Sequence, residues 1–292
     1  ITSIILGVLL GGQLVAPHIS GVLLDFDLPG VDLGIGLPAE AAILTLIPVY
    51  ALAAAFNLRI PHTGVTMRPM PRHVVALLRD FWSCNQRLWR DKLGQISLAT
   101  TTLFWGVSGN LRYIVLAWAA AALGYGTTQA SALVGVVAIG TAAGAVWASL
   151  RMRLNKATRV IPLGIAMGIL LVGMIFIHQL ALAVPFLILL GGLGGFLVVP
   201  MNALLQHRGH NLMGAGRSIA VQNFNEQAAI LGMGAFYSLS SSLGLSAFGA
   251  ITAFGLLVAG TMWLIGRWMA HNTRCHRKEM ARLLGIARRD DH

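Results

Sequence analysis

The sequence predicts an all-α membrane protein whose chain crosses the bilayer about eight times. Of its 292 residues, 56% are hydrophobic and only 11% are charged, and the mean hydropathy is +0.74. Soluble domains carry roughly 25% charged residues, so this much smaller share indicates a surface that faces lipid. The 34 glycines agree with this prediction, because small residues let membrane helices approach each other closely.

The candidate membrane spans can be read directly from the apolar runs. A helix needs about 20 mainly apolar residues to cross the hydrocarbon core of a bilayer. Eight segments meet this requirement, at residues 1–24, 35–58, 95–122, 129–150, 159–179, 183–206, 217–242 and 245–269. The first begins at Ile1 without an initiator Met or a charged leader, which predicts a piece of a longer membrane protein rather than a signal peptide.

The charges in the connections predict the orientation of these spans. Lys and Arg cluster around residues 59–92, 151–159, 208–217 and beyond 267, whereas the intervening connections carry neither. Under the positive-inside rule, the basic connections and both ends of this chain are cytoplasmic. The formal net charge of +11 therefore reflects membrane topology. It does not indicate nucleic-acid binding, because the charges form no stripe with interleaved aromatic residues.

The longest basic connection divides the chain into two unequal parts. We interpret residues 1–58 as the last two helices of an N-terminal half that lacks four, and 95–269 as a six-helix C-terminal half. Residues 59–94 then form the loop between the halves, and 270–292 a basic cytoplasmic tail. Within the loop, "HVVALLRDFWSCNQRLW" has amphipathic helical spacing. Such a helix either lies on the inner leaflet or packs below the bundle as a linker.

Arg112 is an arginine predicted at membrane depth, in "TLFWGVSGNLRYIVLAWAAAALG". Buried charges in a bilayer are costly, so each one is a functional hypothesis. The guanidinium group stays charged and suits phosphate or carboxylate, with Asn110 and Tyr113 close by in the sequence. Arg112 therefore either binds an anion in a water-filled cavity, pairs with a carboxylate elsewhere in the bundle, or alternates between the two.

A second polar region lies in "GRSIAVQNFNEQAAILGMG", where Glu226 is predicted near the middle of a span. At 100° per residue, the five polar side chains share an arc of about 200° that cannot face lipid. They are either interhelical hydrogen-bonding residues or part of a substrate or gating site. The preceding span places Asn202 and Gln206 on one face, four residues apart. The polar arc consists of Gln222, Asn223, Asn225, Glu226 and Gln227.

Motifs of catalysis or metal binding do not stand out. No HExxH, no Ser-His-Asp arrangement and no histidine followed by aspartate five residues later occurs in the sequence. Cys84 and Cys275 have no CxxC partner and are expected to be reduced thiols. We therefore predict a protein that is not an enzyme and uses no metal and no cofactor.

Three segments together resemble the bacterial lysophospholipid transporters of the major facilitator superfamily. They are "GGFLVVPMNALLQHRG", "GAGRSIAVQNFNEQAAILG" and "TLFWGVSGNLRYIVLAW", and the resemblance runs from about Leu78 to about Trp268. Three positions depart from the family pattern: His207 stands in place of an acid, Asn225 in place of glycine and Gln227 in place of asparagine. These departures concern substrate preference rather than the family.

The resemblance implies two six-helix bundles around a central cavity, with this chain supplying helices five to twelve. Such transporters move lysophosphatidylethanolamine and lysophosphatidylglycerol from the outer to the inner leaflet of the bacterial inner membrane. A cytoplasmic acyltransferase/acyl-carrier-protein synthetase, their functional partner, then reacylates the lipid. The alternative is a transporter of the same fold for a soluble organic anion or drug. The implied substrate-binding residues are Asn110, Arg112, Asn202 and Gln206, and the implied seam or gating residues are Gln222, Asn223, Asn225 and Glu226.

Overall fold

The computed structural model describes residues 38–59 and 73–289, and their regular structure is helical. The fold class is therefore confirmed as an all-α polytopic membrane protein, and the predicted span at 1–24 lies outside the described residues. In chain order the helices are α1 (Pro38–Asn57), α2 (Val74–Arg90), α3 (Gly94–Leu123), α4 (Thr127–Arg151), a 3₁₀ helix (Leu154–Val160), α5 (Ile161–Gly173), a 3₁₀ turn (Met174–Phe176), α6 (Leu180–Met213), α7 (Ala215–Ser242), α8 (Ala247–Cys275) and α9 (Arg277–Arg289).

Four segments of the described residues are long and apolar enough to cross a membrane. They are Gln129–Arg151, Leu154–Phe176, Leu180–Met213 and Ala247–Cys275. Helices α3 and α7 have 30 and 28 residues and agree with the predicted spans at 95–122 and 217–242, but they carry the polar stretches around Arg112 and Glu226. Arg112 and Glu226 thus lie in helices outside these four, whereas the candidate residues Asn202 and Gln206 lie in α6, which is one of them.

Helices α3 to α8 pack around one apolar core that includes the fully buried Trp118 and Phe254. Short connections reverse the chain, and glycine with positive φ occurs in three of them. Gly124 has φ 65°, and Gly244 has φ 84°. Gly214, with φ 85°, is the single residue between α6 and α7. These backbone conformations favour glycine because a Cβ atom is disfavoured there.

Helix α6 is longer than the sequence predicts. The apolar pattern indicates a span over 183–206, but the helix continues to Met213, through residues that read as a polar connection. Its 34 residues correspond to about 51 Å, which exceeds the ~30 Å hydrocarbon core. Helical hydrogen bonding therefore continues beyond the bilayer, where polar side chains are stable in water.

Glycines bring α4 and α6 into backbone contact. A Cβ atom at Gly144 would collide with the carbonyl oxygen of Gly192, and one at Gly195 would collide with that of Thr141. The GxxxG spacing at Gly140 and Gly144 predicts such close packing, and the structure confirms it. A second contact of this type joins α5 to α8, where Gly168 faces the backbone of Ala259.

The predicted amphipathic helix of the loop is α2, and it is anchored to the six-helix bundle at one end. Cys84, Asn85 and Leu88 are buried, whereas Val74 and Val75 at its beginning are exposed. The C-terminal half of α2 packs with residues of α6 and α7 in a small separate core. This part of the helix therefore follows the linker alternative.

Candidate functional site

A buried polar cluster joins α6 to α7 near the middle of α7. Gln222 uses its side-chain nitrogen, Nε2, for two hydrogen bonds: it donates to Oδ1 of Asn202 at 2.7 Å and to Oε1 of Glu226 at 2.8 Å. Glu226 is only 8% exposed. Both hydrogens of this amide are thus committed within the bundle. The structure brings together residues that the family resemblance assigns to different places: Asn202 to the cavity, and Gln222 and Glu226 to the seam.

Three other predicted polar residues of α6 and α7 are exposed and lie outside this cluster. Asn223 and Gln227 are exposed on α7, and Gln206 is exposed one turn beyond Asn202 on α6. The polar arc therefore has a buried side, which is hydrogen-bonded within the bundle, and an open side. Amides on the open side are available to a further helix or to a substrate.

Asn225 connects α7 to the loop helix α2. Its Oδ1 accepts a hydrogen bond from Nε1 of Trp89 at 3.3 Å, and its Nδ2 donates to Oδ1 of Asn85 at 2.9 Å. Beside this contact, the rings of Phe81 and Phe224 meet edge to face with centroids 5.2 Å apart. The family resemblance, which assigns the polar arc to a seam between two halves, implies partners in helices outside this chain. For Gln222 and Asn225 the partners instead lie in α6 and α2.

Arg112 is exposed on α3, eleven residues before its last residue and so about 16 Å from that end. Its Nη2 donates a hydrogen bond to the hydroxyl group of Tyr113 at 3.1 Å, and its Cζ lies 5.0 Å from the centroid of that ring. Within the two described ranges, no carboxylate lies within 4.0 Å of Arg112. The guanidinium group is therefore oriented by its neighbour and keeps most of its five N–H donors for other partners.

Asn110 lies on a different side of α3 and is buried. Its Nδ2 donates to the carbonyl oxygens of Gly106 at 2.8 Å and of Ile230 at 2.9 Å, so the side chain links α3 to α7. Positions two residues apart on a helix point in directions that differ by about 200°, so the side chains of Asn110 and Arg112 lie on different faces of α3. The structure does not bring these two predicted substrate contacts together.

Two ion pairs tie α2 and the start of α3 to α6 and α7. Arg208 donates from Nε and Nη2 to the two carboxylate oxygens of Asp91, at 3.1 and 2.6 Å, and both side chains are less than a tenth exposed. Arg217 pairs with Asp80 at 2.8 Å in a more exposed position. Sequence reasoning missed these pairs, although two acidic residues within a strongly basic loop were a usable signal.

Sites for metal binding or disulfide formation are absent from the part of the chain that the structure describes. No group of three or more His, Cys, Asp or Glu side chains there is arranged to hold a metal ion. Cys84 is buried and Cys275 is exposed, and both are free thiols.

The sequence is similar to several curated lysophospholipid transporters (LplT). It is 37% identical over 227 residues to the transporter of Pectobacterium carotovorum, and 37% identical over 235 residues to that of Salmonella arizonae. It is 36% identical over 239 residues to the transporter of Yersinia pestis. The chain is a relative of the lysophospholipid transporters. The resemblance predicted from the three sequence segments is thereby confirmed.

These alignments cover 77–80% of this chain but only 53–59% of the curated transporters. The chain thus spans a little over half the length of the relatives it matches. No protein-family model and no solved structure matches the chain. The similarity to named transporters and the presence of several long apolar helices together identify this chain as part of a multi-pass membrane protein.

Proposed function

We propose that this chain is the larger part of a transporter that moves lysophospholipids from the outer to the inner leaflet of the bacterial inner membrane. The observation that carries the proposal is the 36–37% identity to lysophospholipid transporters over about four fifths of the chain. Lysophosphatidylethanolamine and lysophosphatidylglycerol are the proposed substrates.

The proposed architecture is that of the major facilitator superfamily. Helices α3 to α8 would form the complete C-terminal half, and residues 1–58 would contribute the last two helices of the other half. Residues 59–94 join the halves, and 270–292 form the tail. Because the basic connections lie at one end of the bundle, we place that end and both chain termini in the cytoplasm.

The proposed substrate site combines one cation with apolar surface. Arg112 supplies a guanidinium group that is exposed, has no carboxylate partner in the described ranges, and suits a phosphodiester oxygen. Apolar helix surface beside it suits the single acyl chain. Exposed Gln206 and partly buried Asn202 are proposed to face the same cavity from α6. Glu226, Gln222, Asn223 and Asn225 are proposed to support the seam between the halves.

The proposed partner is an acyltransferase/acyl-carrier-protein synthetase on the cytoplasmic side. It reacylates the lipid, so the transporter itself needs no catalytic residue, no metal and no cofactor. Assigning the chemistry to this partner is consistent with the relatives being named transporters.

The decisive experiment reconstitutes the full chain in proteoliposomes with lysophosphatidylethanolamine that carries a fluorescent head-group label. A membrane-impermeant quencher then reports how much lipid has changed leaflet. We expect faster leaflet exchange of the lysolipid than in empty liposomes. Adding a fatty-acid anion or a soluble dye as a competitor should not slow this exchange. Exchange equal to that of empty liposomes would overturn the proposal. Uptake of the soluble anion or dye instead would favour the alternative transporter.

A further inference from the structure

A pocket of about 380 Å³ lies where the end of α4, the following 3₁₀ helix and α9 meet. Three arginines from these segments line it: Arg151 ends α4, Arg153 precedes the 3₁₀ helix, and Arg288 lies near the end of α9. None of the lining residues is acidic, and none of these arginines forms a salt bridge with another described residue. Three like charges thus line one space, and the described part of the chain supplies no carboxylate to pair with them.

Polar groups complete the lining of this basic pocket. Ser149 and Asn155 also line it, although the Ser149 hydroxyl already donates a hydrogen bond to the carbonyl oxygen of Val146 at 2.7 Å. Oδ1 of Asn155 has no hydrogen-bond partner among the described residues, but it is an acceptor, so the donors for a phosphate oxygen come chiefly from the three arginines. Arginine presents a planar fork of donors that matches phosphate oxygens, and it favours bidentate contacts. The chemistry of the lining is therefore that of a phosphate site.

Helix α9 is packed against the bundle, so the arginine that it contributes to the pocket is held in place. Met280, Leu283 and Ala287 of α9 are buried in the main core of the bundle. Arg288 follows Ala287 directly, so its backbone is fixed next to the 3₁₀ helix. The pocket therefore has walls on both sides of the arginines.

Apolar surface leads from the basic pocket along α4. Leu150 lines the pocket and is 77% exposed, and Val146 and Trp147 are exposed one turn earlier on the same helix. A free phosphate ion gains nothing from contact with an apolar surface. A phospholipid can place its acyl chains on this surface and its head group in the pocket. Basic pockets at the cytoplasmic side of membrane helices bind the head groups of anionic lipids in this way.

We infer that this pocket binds a diacyl anionic phospholipid of the inner leaflet, such as phosphatidylglycerol, through the head-group phosphate. The lipid is a resident ligand and not the transported substrate, because the pocket lies at the end of the bundle, away from Arg112. Binding at this place would fix α9 and the 3₁₀ helix to the membrane surface. The inference does not depend on the proposed transport activity.

Native mass spectrometry of the full chain, released from nanodiscs of phosphatidylglycerol and phosphatidylcholine, tests the inference. We expect retention of phosphatidylglycerol in preference to phosphatidylcholine. The variant Arg151→Gln/Arg153→Gln/Arg288→Gln should lower this preference at least about tenfold, given the contribution of each basic residue near a membrane surface. The matched control Lys156→Gln/Arg159→Gln/Arg282→Gln removes the same charge from the 3₁₀ helix and α9 outside the pocket, and should keep the preference.

Three outcomes would overturn the inference. Equal loss in both triple variants would indicate diffuse attraction to anionic lipid. Displacement of the lipid by millimolar inorganic phosphate would indicate a site for free anions. If the unmodified protein shows no lipid preference but the variant Asp290→Asn/Asp291→Asn does, the acidic residues of the tail would be the groups that occupy the pocket. Arg112→Gln should leave lipid retention unchanged, which separates this inference from the transport proposal.

Discussion

The guanidinium group of Arg208 at the end of α6 is paired with the carboxylate of Asp91, which stands between α2 and α3. The same carboxylate accepts a hydrogen bond from the backbone nitrogen of Gly94 at 2.7 Å, so Asp91 also caps the start of α3. Both side chains are largely withdrawn from solvent. One acidic residue therefore fixes the start of α3 against the end of α6.

Removing one partner of this pair should destabilise the protein strongly. Arg208→Gln leaves the Asp91 carboxylate buried without its counter-ion, and breaking a buried pair in this way costs about 3–5 kcal/mol. Thermal unfolding of the detergent-solubilised full chain measures the effect. Arg217→Gln breaks the pair with Asp80, whose side chains are 35% and 37% exposed, and should cost at most about 1 kcal/mol. Equal losses in the two variants would contradict this ranking.

Arg112 should be required for transport but not for folding. Arg112→Ala removes an exposed side chain that has no carboxylate partner in the described ranges, so we expect normal membrane insertion and loss of lysolipid transport. Arg112→Lys retains the charge without the planar fork and should keep part of the activity. Both are measured by leaflet exchange in proteoliposomes and by the amount of protein inserted.

Tyr113→Phe is the control for the Arg112 variants. It removes the hydroxyl group that accepts from Arg112 but retains the ring next to the guanidinium group. We expect a small decrease in activity, since only one orienting hydrogen bond is lost. Unchanged transport in Arg112→Ala would exclude Arg112 as the anion-binding group.

Glu226 should act through a hydrogen bond rather than through its charge. Glu226→Gln retains a side-chain oxygen that can accept from Gln222, so transport and stability should remain close to normal. Glu226→Ala removes that acceptor and should lower stability by about 1–2 kcal/mol. The exposed Gln227→Ala serves as the control and should be neutral. Loss of transport in the Gln variant, with intact folding, would indicate a role for the carboxylate itself.

Close packing of α4 on α6 should make Gly144 intolerant of any side chain. Gly144→Ala places a methyl group against the carbonyl oxygen of Gly192, and overpacking of this kind costs about 1–3 kcal/mol. Gly232→Ala is the matched control in α7, because open space surrounds that position. Thermal unfolding and the yield of inserted protein should both fall for Gly144→Ala alone. A stable Gly144→Ala variant would contradict the observed backbone contact.

The order of the long helices between 95 and 269 was predictable because apolar run length is set by bilayer thickness, which acts on each segment independently. Helix α9 was not predicted, because the sequence after 270 indicates only a basic tail. The end of α6 was not predictable from hydropathy. Polar residues after Gln206 suit both a connection and a helix in water, and the helix ends only where Gly214 adopts positive φ. The glycine contacts between α4 and α6 were predictable because their i, i+4 spacing places them on one face.

Individual side-chain partners were much less predictable. The polar arc of α7 was recognised from its periodicity, but the partner of Asn225 lies about 140 residues earlier, on α2. Such a contact depends on the rotation and packing of two helices, which hydropathy does not determine. Likewise, Asn110 and Arg112 are neighbours in sequence, yet the helix directs them to different surroundings.

The anchoring of α2 also sets the distance over which α1 and the bundle of α3 to α8 can separate. If all of 59–94 were an unattached linker, the 37 residue steps from Asn57 to Gly94 would reach at most about 130 Å, at roughly 3.5 Å per residue. Because α2 is a helix held by Trp89, Asp91 and Asp80, the tether effectively ends at Val74, and its 17 steps reach at most about 60 Å. Shortening the stretch before Val74 would therefore restrict how far α1 can lie from α3 to α8 much sooner than the length of residues 59–94 suggests.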